Sequence, residues 1–235
     1  MSFKDKDFLE IEYSMWDTTT NELINTTDKK KAEEAGIYND KFRYGKSLVI
    51  IGSEGLLKGL DRELRNMSTN EKKEFVLEPE DAYGSIDEKL IRVMPLSEFR
   101  NRGVDPYPGM RIELDNGLAT IRTVNSGRVV VDLNNLYAGR RIKCEVEIIK
   151  NPTNEEDKIK TLCYTEDVEP SEMILKDKTL SLVYDNKIKK DASYFSKRMV
   201  LIDLIFKYIG MEKINVEDKY ERKSEKTEDT KDKNN

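Results

Sequence analysis

The chain has 235 residues, 37% of them hydrophobic and 37% charged, with interleaved acids and bases summing to a formal net charge of −5. That balance suits a soluble chain of one large domain or two to three small ones, and the lack of a basic patch points away from nucleic acid or a membrane surface as partner. There is no histidine and only two cysteines, Cys144 and Cys163, which excludes Ser-His-Asp and Cys-His nucleophiles, an imidazole base, and zinc sites built on histidine or on four cysteines.

Two cysteines make no disulfide framework, which fits a reducing compartment. The first residues carry no apolar run of the signal-peptide kind, and apolar stretches such as 199–202 are too short to span a bilayer. The expected location is the cytoplasm.

Leu9, Ile11, Tyr13 and Met15 alternate with Glu10, Glu12 and Ser14, the period of a half-buried strand. A turn over 17–21 leads to a short strand at 22–25. Thr27 is expected to cap a helix over 28–35 that Gly36 ends. Residues 47–51 read as a buried strand. Leu56, Leu57, Leu60 and Leu64 then form one helical stripe, and Phe75 and Leu77 mark a strand that stops at Pro79.

Beyond Ser85 a short strand at 91–94 precedes a helical turn around Phe99, with Ser97 as its expected cap. Two hairpins follow, across Asp115-Asn116-Gly117 and Asn125-Ser126-Gly127, both with tight-turn chemistry. In 141–150 the apolar residues Ile142, Cys144, Val146 and Ile148 share one face, which suits the first sheet. Residues 86–132 are then an insertion into a core made of 1–85 and 133–151. Residues 152–157 read as a linker, followed by strands at 172–175 and 179–184 and a helix over 191–209. A C-terminal α+β domain thus covers 152–223, and 224–235, without an apolar residue, is expected to be disordered.

Several of these segments resemble the FKBP family of peptidyl-prolyl isomerases, specifically its long-chain SlyD-like and archaeal members. The resemblance is carried by Tyr13, by Gly55-Leu56-Leu57-Lys58-Gly59-Leu60, by Ala82-Tyr83-Gly84, by Ala138-Gly139 and by Cys144-Glu145-Val146-Glu147, in that order and over roughly residues 1–150. It implies an α+β fold, with a twisted antiparallel sheet around a short helix. The inserted block would be the family's insert-in-flap domain, the part that holds unfolded chains. No cofactor is implied. The His/Cys-rich metal-binding tail of bacterial relatives has no counterpart here, so no metal is expected.

Carried over by position, Tyr13 and Ile24 would wall a proline pocket and Leu60 would form its floor. Leu56 and Leu57 would present contacts to the peptide, Tyr83 would donate to a substrate carbonyl, and Tyr137 would line the rim. The sequence departs from the family at Asn25 (usually Asp), at Cys144 (usually Phe) and at Asn134-Asn135-Leu136-Tyr137 ahead of Ala-Gly. The reading is therefore an isomerase with chaperone activity on unfolded, proline-containing polypeptides, and the alternative a catalytically weak holdase that kept the fold. In the insert, Met94, Phe99, Val104, Tyr107 and Met110 either form a client groove or fill the insert's own core. The long C-terminal helix has more apolar surface than its own domain can bury, which suggests a homodimer.

Overall fold

The alternation that opens the chain becomes β1 (Phe8–Asp17), with Leu9, Ile11 and Met15 buried and Glu12 exposed. It pairs antiparallel with β2 (Leu23–Thr26), β3 (Ser47–Ile50) and β9 (Ile142–Lys150), and β4 (Lys72–Leu77) joins the far side of β9 in a five-stranded sheet. On β9 the residues Ile142, Cys144, Val146 and Ile148 are at most 1% exposed, so their period of two returns the chain to the middle of this sheet. The computed structural model describes residues 2–114, 117–185 and 192–220, and the chain divides into two units, 1–151 and 152–235.

Helix α2 (Lys58–Arg65) covers the apolar face of the sheet with Leu60 and Leu64. It begins one residue after Leu57, so Leu56 and Leu57 stand in the loop leading into the helix and not on its stripe. A Cβ on Gly59 would lie 2.5 Å from Leu77 Cδ2 and 3.1 Å from the Asp81 carbonyl oxygen; only glycine lets the helix come this close.

Helix α1 (Lys29–Glu34) is capped by Asp28, whose Oδ1 accepts from the Lys30 and Lys31 amides at 2.8 and 3.2 Å. Thr27, the expected cap, is occupied elsewhere: its Oγ1 accepts from the Tyr13 amide at 2.9 Å and donates to the Tyr13 carbonyl at 3.2 Å.

The insert forms a separate four-stranded sheet of β5 (Ile91–Pro95), β6 (Arg111–Leu114), β7 (Gly117–Asn125) and β8 (Arg128–Asp132), in the order β5-β8-β7-β6. Its helix α3 (Leu96–Asn101) has Pro95 at the cap position, which places Ser97 inside the first turn. Ser126 and Gly127 both take positive φ (45° and 80°), the geometry of a tight hairpin turn. Asp115 and Asn116 of the other expected turn lie outside the described residues.

In the second unit, α4 (Glu155–Thr165) occupies much of the stretch expected to be a linker. Asn154 caps it, with Oδ1 accepting from the Asp157 amide at 2.8 Å, and Glu155, Glu156 and Asp157 complement the helix dipole. Strands β10 (Glu172–Lys176), β11 (Thr179–Tyr184) and β12 (Lys213–Asp218) make a three-stranded sheet in which β11 and β12 are parallel, bridged by α5 (Ala192–Tyr208). Sequence reading anticipated neither α4 nor β12. Residue 191, the expected start of α5, and the tail at 224–235 lie outside the described residues. Among the described residues no helix is long and apolar enough to cross a membrane.

Candidate active site

Eight of the nine residues expected at the pocket gather on the α2 face of the first sheet. Leu60 and Cys144 belong to its buried core, and Tyr13, Ile24, Leu56, Leu57, Tyr83 and Tyr137 are part-buried and pack against that core. Each has a structural reason to be there. Tyr13 points inward with Ile11 and Met15, and Thr26 and Thr27 hold its carbonyl. Ile24 lies on β2, one residue from the Asn25–Met15 pairing. Tyr83 follows a 3-10 turn at Pro79–Asp81, which Arg62 of α2 grips through Asp81 at 2.8 Å. Tyr137 sits on the segment that returns from the insert, its amide donating to Asn135 Oδ1 at 2.9 Å.

The Tyr83 and Tyr137 rings are 5.3 Å apart, tilted by 46°. Burial pushes the Tyr83 phenol up to about 12, helped by Tyr13, Tyr137 and Cys144 nearby. Tyr83 is therefore a neutral hydroxyl, available as a donor throughout the physiological range. Burial also raises Tyr13, while a hydrogen bond with the ninth residue, Asn25, pulls the other way. Asn25 thus keeps a contact to the aromatic wall without a charge. Cys144 is fully buried, and its thiol is pushed up to about 12 by burial, so it acts as a small apolar wall residue and not as a nucleophile.

The arrangement is an aromatic and aliphatic depression in which the part-buried Tyr83 supplies a hydroxyl donor. Such a surface suits a compact apolar ring and one carbonyl, and needs no nucleophile. Among the described residues no group of three or more His, Cys, Asp or Glu is placed to hold a metal ion.

The residues proposed for client binding divide differently. Phe99 is 4% exposed and centres the insert's own core with Ala119, Ile121, Val129 and Val131, so it is not a client contact: an insert this small needs its largest apolar side chain inside. Met94, Val104 and Met110 are part-buried against the same core, and Tyr107 is 62% exposed. Sequence reading passed over Val93 and Leu118, exposed by 62% and 51%. The period of two on β5, with Met94 turned inward, was the available signal for Val93.

It also passed over Asp17. That residue is 1% exposed and ion-paired with Arg140, tying the end of β1 to the segment carrying Tyr137. Burial alone would raise its carboxyl, but the Thr19 and Thr20 amides and the Arg140 guanidinium hold it below the usual range.

Residues 2–99, which carry most of these side chains, match the model of the FKBP-type peptidyl-prolyl cis-trans isomerase family. Over that stretch the chain is similar to FKBP-type peptidyl-prolyl cis-trans isomerases. Residues 92–137, which span the second sheet, match the model of the IF domain of FKBP26. A short-type peptidyl-prolyl cis-trans isomerase of Methanocaldococcus jannaschii is 28% identical over 145 residues, covering 62% of this chain and 91% of that protein. The SlyD proteins of Vibrio cholerae and Escherichia coli are 34% and 35% identical over 113 and 112 residues. Those matches cover 46% and 45% of this chain, which spans about half the length of the SlyD relatives, 55% and 56%.

Proposed function

We propose that this chain catalyses cis–trans isomerisation of X–Pro bonds in unfolded or partly folded polypeptides and shields those polypeptides while it does so. Rotation about the bond sacrifices amide resonance against a barrier of roughly 18–20 kcal/mol, and no bond to carbon is broken. Tyr13, Ile24, Leu57 and Leu60 would receive the proline ring away from water, which disfavours the charge-separated planar amide. Tyr83 would donate to a substrate carbonyl and favour the twisted form over the planar one.

The observation that carries this reading is the Tyr83 hydroxyl, kept protonated inside the aromatic cluster of Tyr13 and Tyr137. Isomerisation of a short X–Pro peptide tests it: the expected result is acceleration by wild-type protein, and an unchanged rate opposes it. A catalytically weak holdase is the second reading, favoured by the small Cys144 side chain on β9 and by the uncharged Asn25.

Clients would be held on the insert, where Val93, Tyr107 and Leu118 are exposed. The second unit would dimerise through α5. Phe195, Met199, Ile202 and Phe206 recur at spacings of four, three and four, the seam of a two-helix coil, and Phe195, Met199 and Phe206 are 39%, 59% and 44% exposed. The partner is a second copy of this helix, since like seams interdigitate. Both cysteines are free and buried, in keeping with a cytoplasmic setting.

A further inference from the structure

Two crossovers tie the insert to the first sheet: the chain leaves after Tyr83 and returns ahead of β9. They meet at three levels. The Gly139 amide donates to the Gly84 carbonyl at 2.8 Å, and the Leu133 amide donates to the Leu90 carbonyl at 3.0 Å. Between these levels the bridge is a side chain. Asn134 Oδ1 accepts from the Asp87 amide at 2.9 Å, and Asn134 Nδ2 donates to the Asp87 carbonyl at 3.0 Å.

A carboxamide has the same donor and acceptor pair as a peptide group, so Asn134 grips both polar backbone atoms of one residue 47 positions away. Asn134 is itself held: Asp132 Oδ1 accepts from its amide at 2.9 Å and from its Nδ2 at 2.8 Å. The other carboxylate oxygen of Asp132 accepts from Arg122 Nε of β7 at 2.8 Å. The chain of contacts therefore runs from the insert's sheet, through Asn134, to the outgoing crossover.

Beside this clasp lies a cleft of about 570 Å³, lined by Thr19, Thr20 and Arg140 of the core and by Thr120, Arg122 and Asp132 of the insert.

We propose that Asn134 is a positioning residue: it fixes the insert's direction relative to the Tyr83–Tyr137 cleft, so that a polypeptide held on the insert is presented to the cleft. This rests on the isomerase reading above. A short peptide confined to the cleft gains nothing from the clasp, whereas a long client gains the local concentration that a fixed geometry provides.

Three readouts on the full-length chain test this with Asn134→Ala, and with Asp87→Ala as control, because Asn134 uses only the Asp87 backbone. The first is the rate of isomerisation of a four-residue X–Pro peptide, expected to change less than twofold. The second is catalysis of proline-limited refolding of an unfolded protein, expected to fall about fivefold or more in Asn134→Ala and to hold in Asp87→Ala. The third is the distance distribution between fluorophores on Ser97→Cys and Glu34→Cys, expected to broaden in Asn134→Ala only.

Equal losses on peptide and protein substrates would overturn the proposal, because Asn134 would then act through the pocket. An unchanged distance distribution would overturn it as well. If the wild-type chain turns over no substrate, the isomerase reading fails by itself, and the distance distribution still decides whether Asn134 sets the insert's direction.

Discussion

Tyr83 and Tyr137 bring their rings to 5.3 Å from opposite ends of the insert, one on the turn leaving the core and one on the segment returning to it. The pocket wall is thus assembled from the two chain segments that also carry the insert. Of the contacts between those crossovers, the Gly139–Gly84 hydrogen bond is the one nearest the two tyrosines in sequence, whereas the Asn134 clasp belongs to the domain junction.

Replacing Tyr83 with Phe keeps the ring and removes the donor. A net neutral hydrogen bond contributes about 0.5–1.5 kcal/mol, so catalysis should fall roughly 2- to 10-fold. The urea midpoint should stay near wild type. Parallel measurement of turnover on a short X–Pro peptide and of urea unfolding checks both; full activity in the variant would remove Tyr83 from the mechanism.

Gly59→Ala should destabilise the first unit even though alanine is the better helix former. The added methyl meets Leu77 Cδ2 and the Asp81 backbone. Overpacking of that kind costs about 1–3 kcal/mol, more than the roughly 1 kcal/mol gained in helix propensity. Thermal unfolding should show a lower midpoint, and catalysis should drop with it because Leu57 and Leu60 move with α2. A raised midpoint would show that the helix has slack against the sheet.

Alkaline pH should weaken both units. Burial pushes the thiols of Cys144 and Cys163 from their ordinary 9.0, and the phenol of Tyr83 from its ordinary 10.0, up to about 12. The folded chain keeps these protons where the unfolded chain loses them. Stability is therefore intact below pH 9 and declines towards pH 12, from pH 9 for each thiol and from pH 10 for Tyr83, by about 1.4 kcal/mol per pH unit for each group. Urea midpoints at stepped pH should follow that slope, less steeply in Cys144→Ala. A flat profile would mean that the thiols are accessible in the native state.

Met199→Glu on the α5 seam should convert a dimer into a monomer without unfolding the second unit, since Met199 is 59% exposed. Light scattering at micromolar concentration reads this directly. A monomeric mass for the wild-type chain would end the dimer proposal.

Much of the first unit is legible in the sequence because its signals are local. The alternation of Ile142, Cys144, Val146 and Ile148 sends β9 back to the first sheet, and Gly127 marks the β7–β8 turn inside the insert. The pocket residues were readable only through their resemblance to a family, since Tyr13 and Leu60 look like core residues by spacing alone. α4 was missed although Asn154, its acidic first turn and the buried Ile159, Leu162 and Cys163 are a helix signature, because Pro152 and the surrounding charge resemble a linker. The parallel pairing of β12 with β11 and the grip of Asn134 on Asp87 join residues distant in sequence, and no local period encodes such contacts.

The refolding rate of a protein limited by a trans-to-cis proline step, measured with this chain far below stoichiometric amounts, tests the central claim most directly. The account predicts acceleration that grows linearly with catalyst and drops in Tyr83→Phe. An unchanged refolding rate, with aggregation still suppressed at equimolar amounts, would contradict it and leave a holdase on an FKBP scaffold.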